Sequence, residues 1–183
     1  ISTLPLENIV VIGGGTMGAG IAHALARAGS ATTLIECDDE AVHAARLRMS
    51  GLYEAAVKRG LITVEAATEE QSTIRYQSGY GDIEEAGLVI EAVFEDMQVK
   101  CDVLKALDKA APRAILASNT SYLDIDVMAG CLSDPSRLVG LHFFSPAHIM
   151  KLLEIVKGVE TSDYALATGY ALAKQLRKIP VEV

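Results

Sequence analysis

The glycine-rich segment GGGTMG at residues 13–18 limits the fold of this chain more than any other part of it. An apolar run at 8–12 precedes the segment, and apolar residues recur at helical spacing from 16 to 27. A strand, a G-x-G-x-x-G turn and a helix in this order are typical of a βαβ unit that binds the pyrophosphate of a dinucleotide. The alternative interpretation is a turn that serves chain geometry only.

Each residue of the turn has a predicted task. Gly13 permits the tight bend, Gly15 lets the backbone approach the pyrophosphate, and Gly18 lets the helix pack closely on the strand. The helix that begins at Thr16 and Met17 presents free N–H groups and a partial positive charge to phosphate oxygens. We therefore expect these five residues to bind the cofactor.

An acid follows at the distance that this motif requires. Glu36 ends the second predicted strand, at 31–36, and lies eighteen residues after Gly18. A carboxylate at this position accepts hydrogen bonds from the adenosine ribose and repels a 2′-phosphate. Because Cys37, and not an arginine, comes next, the sequence favours NAD over NADP. The motif alone does not separate nicotinamide from flavin dinucleotides.

The rest of the chain alternates apolar strands with helices. This alternation predicts an α/β fold of Rossmann type, with a doubly wound, mostly parallel sheet and helices on both faces, in a single domain over 1–183. The further predicted strands lie at 74–77, 88–93, 114–118, 138–143, 151–156 and 180–183. The further predicted helices lie at 38–58, 63–71, 97–111 and 162–178.

Composition argues against several classes of function. The formal net charge of −8 disfavours nucleic acid and anionic membranes as partners, although a local positive field can still attract an anionic ligand. No apolar run approaches the roughly 18 residues that span a bilayer, so we expect no membrane insertion. Three cysteines, Cys37, Cys101 and Cys131, are too few and too scattered for a disulfide framework or a metal site. We expect three reduced thiols and no bound metal.

Polar residues follow three of the predicted strands. Glu95 follows the first of them, Asn119 and Ser121 follow the second, and His142 lies near the end of the third. In a doubly wound sheet the ligand lies across the carboxyl ends of the strands. Oxidation of an alcohol needs a base for the hydroxyl proton, and histidine is the usual choice. Glu154, inside the apolar run KLLEIV, is the candidate carboxylate that orients this base.

Less specific interpretations apply to the same side chains. His142 would serve equally well as a hydrogen-bonded core residue, and His148 on the same loop is a rival base. His23 and His43 lie on predicted helices and are expected to be surface or packing residues. Ser121 has the alternative role of a cap for the short helix that follows it.

Four segments of the chain resemble the L-3-hydroxyacyl-CoA dehydrogenase family. They are VVIGGGTMGAGIA, EAVFEDMQVK, ASNTSYLDI and GLHFFSPAHIMKLLEIVKG, and the match runs from about Asn8 to Val183. In the segment HFFSPAH, Ser145 stands where free-standing members of the family more often have asparagine. The chain therefore looks most like the dehydrogenase part of the multifunctional fatty-acid β-oxidation enzymes.

The resemblance implies catalytic roles for four residues. His142 would be the general base, and Glu154 would be its carboxylate partner. Ser121 would bind the substrate oxygen, and Asn119 would lie beside the nicotinamide and the substrate.

The resemblance also implies further binding roles. Glu95 and Lys100 would lie near the nicotinamide ribose of the cofactor. Lys58 or Arg59, at the end of a long helix, falls where the family presents positive charge to coenzyme A. The implied reaction is the reversible oxidation of an L-3-hydroxyacyl-CoA to a 3-ketoacyl-CoA with NAD⁺.

The family has a second, all-helical domain that supplies a further catalytic asparagine and the dimer contact. The resemblance implies that this domain is absent from 1–183, so that the chain alone would bind NAD but turn over acyl-CoA poorly. The complete protein would be a dimer or part of a β-oxidation complex, in the bacterial cytoplasm, the peroxisome or the mitochondrial matrix. Two alternatives are a dehydrogenase of small hydroxy acids, which typically uses a lysine base, and a dinucleotide-binding module without enzymatic activity.

Overall fold

The computed structural model describes residues 6–183, which form one eight-stranded sheet with helices on both faces. The strands are β1 (Asn8–Ile12), β2 (Ala31–Glu36), β3 (Arg75–Ser78), β4 (Leu88–Glu91), β5 (Ile115–Ser118), β6 (Leu138–Phe143), β7 (Leu152–Val156) and β8 (Ile179–Glu182). The helices are α1 (Thr16–Arg27), α2 (Asp39–Lys58), α3 (Val64–Thr73), α4 (Met97–Ala110), α5 (Ile125–Ala129) and α6 (Asp163–Gln175). Within this part of the chain, every helix is too short or too polar to cross a membrane.

The strand order is β3-β2-β1-β4-β5-β6-β7-β8, and all neighbouring pairs are parallel except β6 and β7. The chain moves outward in one direction from β1 to β3, and then in the other direction from β4 onward. This reversal places a crevice beyond the carboxyl ends of β1 and β4, where ligands of doubly wound sheets bind. The prediction of a Rossmann-type, mostly parallel sheet is confirmed.

The alternation of apolar side chains along β1 divides the core between the two faces of the sheet. Ile9 and Val11 pack with residues of α1, α2 and α6 on one face. Val10 and Ile12 pack with residues of α4 and α5 on the other face. Because the strands are buried on both sides, they read as continuous apolar runs in the sequence.

Acidic and hydroxyl side chains begin most of the helices. Asp38 accepts a hydrogen bond from the amide of Ala41 at the start of α2, and Asp124 caps α5. Ser121 is therefore not the cap of the short helix, as one interpretation of the sequence had it. Helix α1 differs from the others, because its N-cap is Gly15 and no side chain accepts from its first amides.

Helix α6 ends at Gln175, three residues before the predicted end. Arg177 has a φ of 53°, in the left-handed region, and the amide of Lys178 donates to the carbonyl of Ala173 at 2.8 Å. This is a Schellman termination, which most often has glycine at the left-handed position. The sequence has arginine there, so the usual signal for the helix end is missing.

The expectation of three reduced thiols is wrong. Cys101 of α4 and Cys131, which follows α5, form a disulfide, whereas Cys37 is free and exposed. The two residues are 30 positions apart, but α4 and α5 pack together on one face of the sheet and bring their Cα atoms to 5.7 Å. Spacing along the chain did not reveal this pair because the packing of the two helices creates it.

Candidate active site

The glycine turn lies in the crevice between β1 and β4. Gly13 has a φ of 96°, and a Cβ atom there would lie 2.8 Å from the carbonyl oxygen of Ala92. A Cβ atom on Gly18 would lie 1.7 Å from the carbonyl oxygen of Gly13. At Gly15 an added Cβ atom would meet nothing within 4 Å, so this residue faces open space. Backbone atoms thus exclude larger side chains at Gly13 and Gly18. The open space at Gly15 leaves room for a ligand.

The N-terminus of α1 fits the pyrophosphate of a dinucleotide. Gly15 and Thr16 are exposed, Met17 is half-buried, and the first amides of the helix have no side-chain cap. Uncapped amides and the helix dipole together favour an anion at this position.

Glu36 lies beside the same turn, at the end of β2. Its carboxylate accepts hydrogen bonds from the amides of Gly14 and Cys37. Arg48 of α2 donates to the carbonyl of Gly14 at 3.0 Å, which adds a positive charge that the sequence analysis did not identify. The Glu36 carboxylate is therefore positioned at the edge of the glycine turn.

The ends of β4 and β5 carry the residues predicted to contact the nicotinamide side of the cofactor. The Glu95 side chain is 28% exposed, and the hydroxyl of Thr120 donates to its carboxylate. Lys100 is wholly buried and pairs with Glu91, so it lies beneath the rim of the site. The Asn119 side-chain oxygen accepts from the amide of Phe143 at 3.0 Å, which ties the end of β5 to β6.

Two of these groups, Glu91 and Thr120, were missed by the sequence analysis. The available signal for Glu91 was a single acid in the otherwise apolar run LVIEAV. A carboxylate in a buried strand requires a partner and therefore indicates a polar network.

A histidine, a carboxylate and a hydroxyl meet at the ends of β6 and β7. The antiparallel register places His142 directly opposite Glu154, and Nδ1 of the imidazole lies 2.9 Å from Oε2 of the carboxylate. On the other side of the ring, Nε2 lies 3.4 Å from Oγ of Ser121. A carboxylate that accepts a hydrogen bond from Nδ1–H holds the proton on Nδ1 and leaves the Nε2 lone pair free to accept a proton. The imidazole is therefore arranged as a base at the same edge of the sheet as the glycine turn.

The other histidines lie outside this cluster. His148 packs edge-on against His23, with ring centroids 5.2 Å apart, and its buried Nδ1 has no hydrogen-bond partner among the described residues. His23 is buried against Tyr53, as a packing residue, and His43 is exposed on α2. The arrangement favours His142 over His148 as the base.

A cationic cavity of about 510 Å³ lies between α1, α2, α6 and the loop that follows His142. Its charged or titratable lining consists of His23, Arg27, Arg59, His148, Lys151, Arg177 and Lys178. Burial, together with the charges of Arg59 and Lys178, lowers the pKa of His148. A local positive field thus exists on a chain whose net charge is −8.

The two residues proposed for coenzyme A separate in the structure. Arg59 lines the cationic cavity, whereas Lys58 lines a smaller apolar groove of about 280 Å³ between α2 and α3. The geometry favours Arg59 over Lys58 as a group that meets an anionic ligand.

The sheet order, the glycine turn and the His142–Glu154 pair define a dinucleotide-binding domain of the α/β dehydrogenase class. The family model described as "3-hydroxyacyl-CoA dehydrogenase, NAD binding domain" matches residues 8–183. The chain belongs to this family, and the predicted resemblance and the predicted NAD cofactor are confirmed.

Named relatives agree with this assignment. The chain is 37% identical over 179 residues to the "Peroxisomal bifunctional enzyme" of Danio rerio, covering 97% of this chain and 24% of the relative. It is 38% identical to the "Peroxisomal fatty acid beta-oxidation multifunctional protein AIM1" of Arabidopsis thaliana, covering 98% of this chain and 25% of the relative. The chain thus spans about a quarter of the length of these curated relatives.

A solved structure agrees as well. The (S)-3-hydroxybutyryl-CoA dehydrogenase of Ralstonia eutropha superposes with a TM-score of 0.93 at 33% identity. The match covers 97% of this chain and 63% of that structure.

Proposed function

We propose that this chain is the NAD-binding and partly catalytic domain of an enzyme that oxidises L-3-hydroxyacyl-CoA to 3-ketoacyl-CoA. The observation that carries the proposal is the hydrogen-bonded series Glu154–His142–Ser121 at the carboxyl edge of a sheet that also holds the glycine turn. A base and a cofactor turn at one edge are what hydride transfer from an alcohol requires.

The chemistry at His142 follows from its two contacts. Glu154 accepts a hydrogen bond from Nδ1–H and keeps the proton on that nitrogen, so the free lone pair of Nε2 takes the proton from the C3 hydroxyl of the substrate. The carboxylate then stabilises the imidazolium that forms. Ser121 donates a hydrogen bond to the same substrate oxygen and stabilises negative charge that develops on it in the reverse direction. Bound NAD⁺ would supply the acceptor for the hydride that leaves C3.

Cofactor binding is assigned to the turn and the strand ends. The amides around Thr16 and Met17 bind the pyrophosphate, and the Glu36 carboxylate binds the adenosine ribose. Glu95 and Asn119 lie at the nicotinamide end. This assignment is supported by the uncapped N-terminus of α1 and by the position of Glu36 beside the turn.

The phosphates of the coenzyme A thioester are assigned to the cationic cavity. The cavity is lined by Arg59, Lys151 and Arg177, among other cations. Several cations in one cavity attract phosphate groups, even on a chain that is acidic overall. The loop from His142 to His148 connects the candidate base with this cavity, because His148 is part of the cavity lining.

The larger assembly is part of the proposal. We propose that residues 1–183 act together with a helical second domain that completes the acyl-CoA site and forms a dimer contact. We further propose that the protein works in fatty-acid β-oxidation. Relatives named as a peroxisomal bifunctional enzyme and as "Fatty acid oxidation complex subunit alpha" support this, and the first of these names favours the peroxisome as the compartment.

His142→Gln tests the catalytic proposal in the complete natural chain that contains these residues. Reduction of acetoacetyl-CoA is followed by the loss of NADH absorbance, and NADH affinity is measured by fluorescence titration. We expect kcat to fall by about a thousandfold, because no base or acid remains at Nε2, with NADH affinity within about twofold of wild type.

His43→Gln is the matched control, because His43 is exposed on α2 and is not part of the Glu154–His142–Ser121 series. It should leave both quantities unchanged. A His142→Gln enzyme that retains more than about a tenth of the wild-type kcat would contradict the assigned base.

A further inference from the structure

Glu91, the last residue of β4, is a wholly buried carboxylate beneath the crevice. It accepts hydrogen bonds from the ammonium of Lys100, from the hydroxyl of Ser118 and, at 3.0 Å, from the amide of Val93. Glu91 therefore contacts the helix that follows β4, the end of β5 and the loop that leaves β4.

Lys100 in turn contacts residues at the rim of the site. Its ammonium donates to the carbonyl of Asn119 at 3.2 Å and to the carbonyl of Val93 at 3.3 Å, and it lies 3.9 Å from the Glu95 carboxylate. Lys100 is itself wholly buried, so it acts on the rim through the groups that it holds. Glu91 is the partner that keeps the ammonium at this point.

A buried ion pair contributes little net stability to a fold, because desolvation of the charges offsets their attraction. Both charges lose their hydration when they are buried, and apolar side chains of similar size are often at least as stabilising. Burial raises the pKa of Glu91, and Lys100, Ser118 and the amide of Val93 act in the opposite direction. Glu91 lies at the switch point of the sheet, between Ile12 of β1 and Ser118 of β5, and ligands of doubly wound sheets bind at this point.

We infer that Glu91 is a positioning residue for the nicotinamide end of the cofactor site. By fixing Lys100, it holds the carbonyls of Val93 and Asn119 and the carboxylate of Glu95 in the arrangement that receives this part of the cofactor. Glu91 does not touch the cofactor, because its side chain has no exposed surface. The inference rests on the proposed function, since it assigns the nicotinamide to this end of the crevice.

Glu91→Gln tests the inference in the complete natural chain that contains these residues, with NADH and ADP as two probes. ADP lacks the nicotinamide and its ribose but keeps the groups that the glycine turn and Glu36 would bind. We expect the Kd of NADH to rise by about tenfold while the Kd of ADP stays within about twofold of wild type. Equal affinities of wild type and Glu91→Gln for NADH, or equal losses for both probes, would overturn the inference.

Asp108→Asn is the matched control for the loss of an ion pair. Asp108 lies on the same helix as Lys100, farther from the site, and pairs with Arg137 at 2.6 Å. This variant should lose thermal stability without a selective loss of NADH affinity. If it shows the same NADH-selective loss, the effect belongs to α4 in general and not to Glu91.

Ser118→Ala decides the matter if Glu91→Gln does not fold. It removes one donor to Glu91 and leaves the ion pair in place. We expect an NADH-selective loss of about threefold, and unchanged NADH affinity would overturn the inference. Wild-type protein that binds neither probe would instead refute the proposed function, so the two failures are distinguishable.

Discussion

Charged side chains inside this protein lie where a neighbouring element supplies their partners. Glu154 faces His142 across two strands, and Lys100 faces Glu91. Lys178 donates to the carbonyls of Ala147 and Met150. These two hydrogen bonds hold in place the loop between β6 and β7, which follows the candidate base. Burial lowers the pKa of Lys178, in keeping with the cost of placing an ammonium there. These residues fix loops and strand ends around the site.

His23 gives a prediction at the scale of one residue. Burial, followed by the effects of His148 and Arg27, lowers the pKa of His23 from 6.5 to about 4. Between these two values the unfolded chain binds a proton that the folded chain does not bind. His23 therefore does not reduce the free energy of unfolding above pH 6.5. As the pH decreases from 6.5 toward 4, it lowers this free energy by a total on the order of 3 kcal/mol.

His23→Leu should remove this part of the pH dependence. The measurement is the free energy of unfolding in urea at pH 7 and pH 5, for wild type and for the variant. His43→Leu, at an exposed position on α2, should keep the wild-type pH dependence. A His23→Leu variant that loses stability between these pH values as steeply as wild type would show that other groups are responsible.

At the scale of elements, two helices on the same face are joined covalently. The disulfide between Cys101 and Cys131 ties α4 to the end of α5. Both helices flank the buried pair of Glu91 and Lys100, because Lys100 belongs to α4 and Met128 of α5 lies 3.6 Å from Ser118. The disulfide thus holds together the two helices that pack over Glu91, Lys100 and Ser118.

Cys131→Ser should destabilise the fold. A cross-link between residues 30 positions apart restricts the unfolded chain, and the chain-entropy model gives a stabilisation of about 3 to 4 kcal/mol. Urea unfolding with and without a reductant measures the loss. Cys37→Ser is the control, because Cys37 is free and exposed, and it should behave as wild type under both conditions. Unfolding of wild type that is insensitive to reductant would count against the bond.

At the scale of the whole molecule, charge is distributed unevenly. The chain has 24 acidic and 16 basic residues, yet the lining of the large cavity is predominantly basic. Its cations come from α1, the residue that follows α2, the loop after β6 and the residues that follow α6, so no single segment of sequence is basic. Anionic substrates would be drawn to this cavity and repelled by most of the remaining surface.

Arg59→Ala and Lys58→Ala provide a test of this field, because the two residues are adjacent in sequence but face different cavities. We expect the Kd of free coenzyme A to rise about tenfold in Arg59→Ala and to stay within about twofold of wild type in Lys58→Ala. Calorimetry at low and high salt is the measurement, and salt should weaken binding to wild type more than to Arg59→Ala. Equal effects of the two substitutions would argue against the cavity as the binding site.

The sequence by itself determined the elements and the cofactor turn. Strands and helices can be predicted because their apolar residues repeat over a few positions. The glycine motif and Glu36 can be predicted because their spacing is set within one βαβ unit. His142 and Glu154 were also paired from sequence, because only a loop separates the two strands that carry them. Boundaries such as the end of α6 were less accurate, since Arg177 occupies a conformation that usually indicates glycine.

Only the tertiary structure decided the contacts between distant segments. The disulfide, the burial of Lys100 against Glu91, the separation of Arg59 from Lys58 and the cationic cavity all depend on how helices pack on the sheet. Local patterns specify which face of an element is apolar, but they do not specify which polar groups from other elements will meet. That choice is made when the faces pack together and bury the polar groups between them.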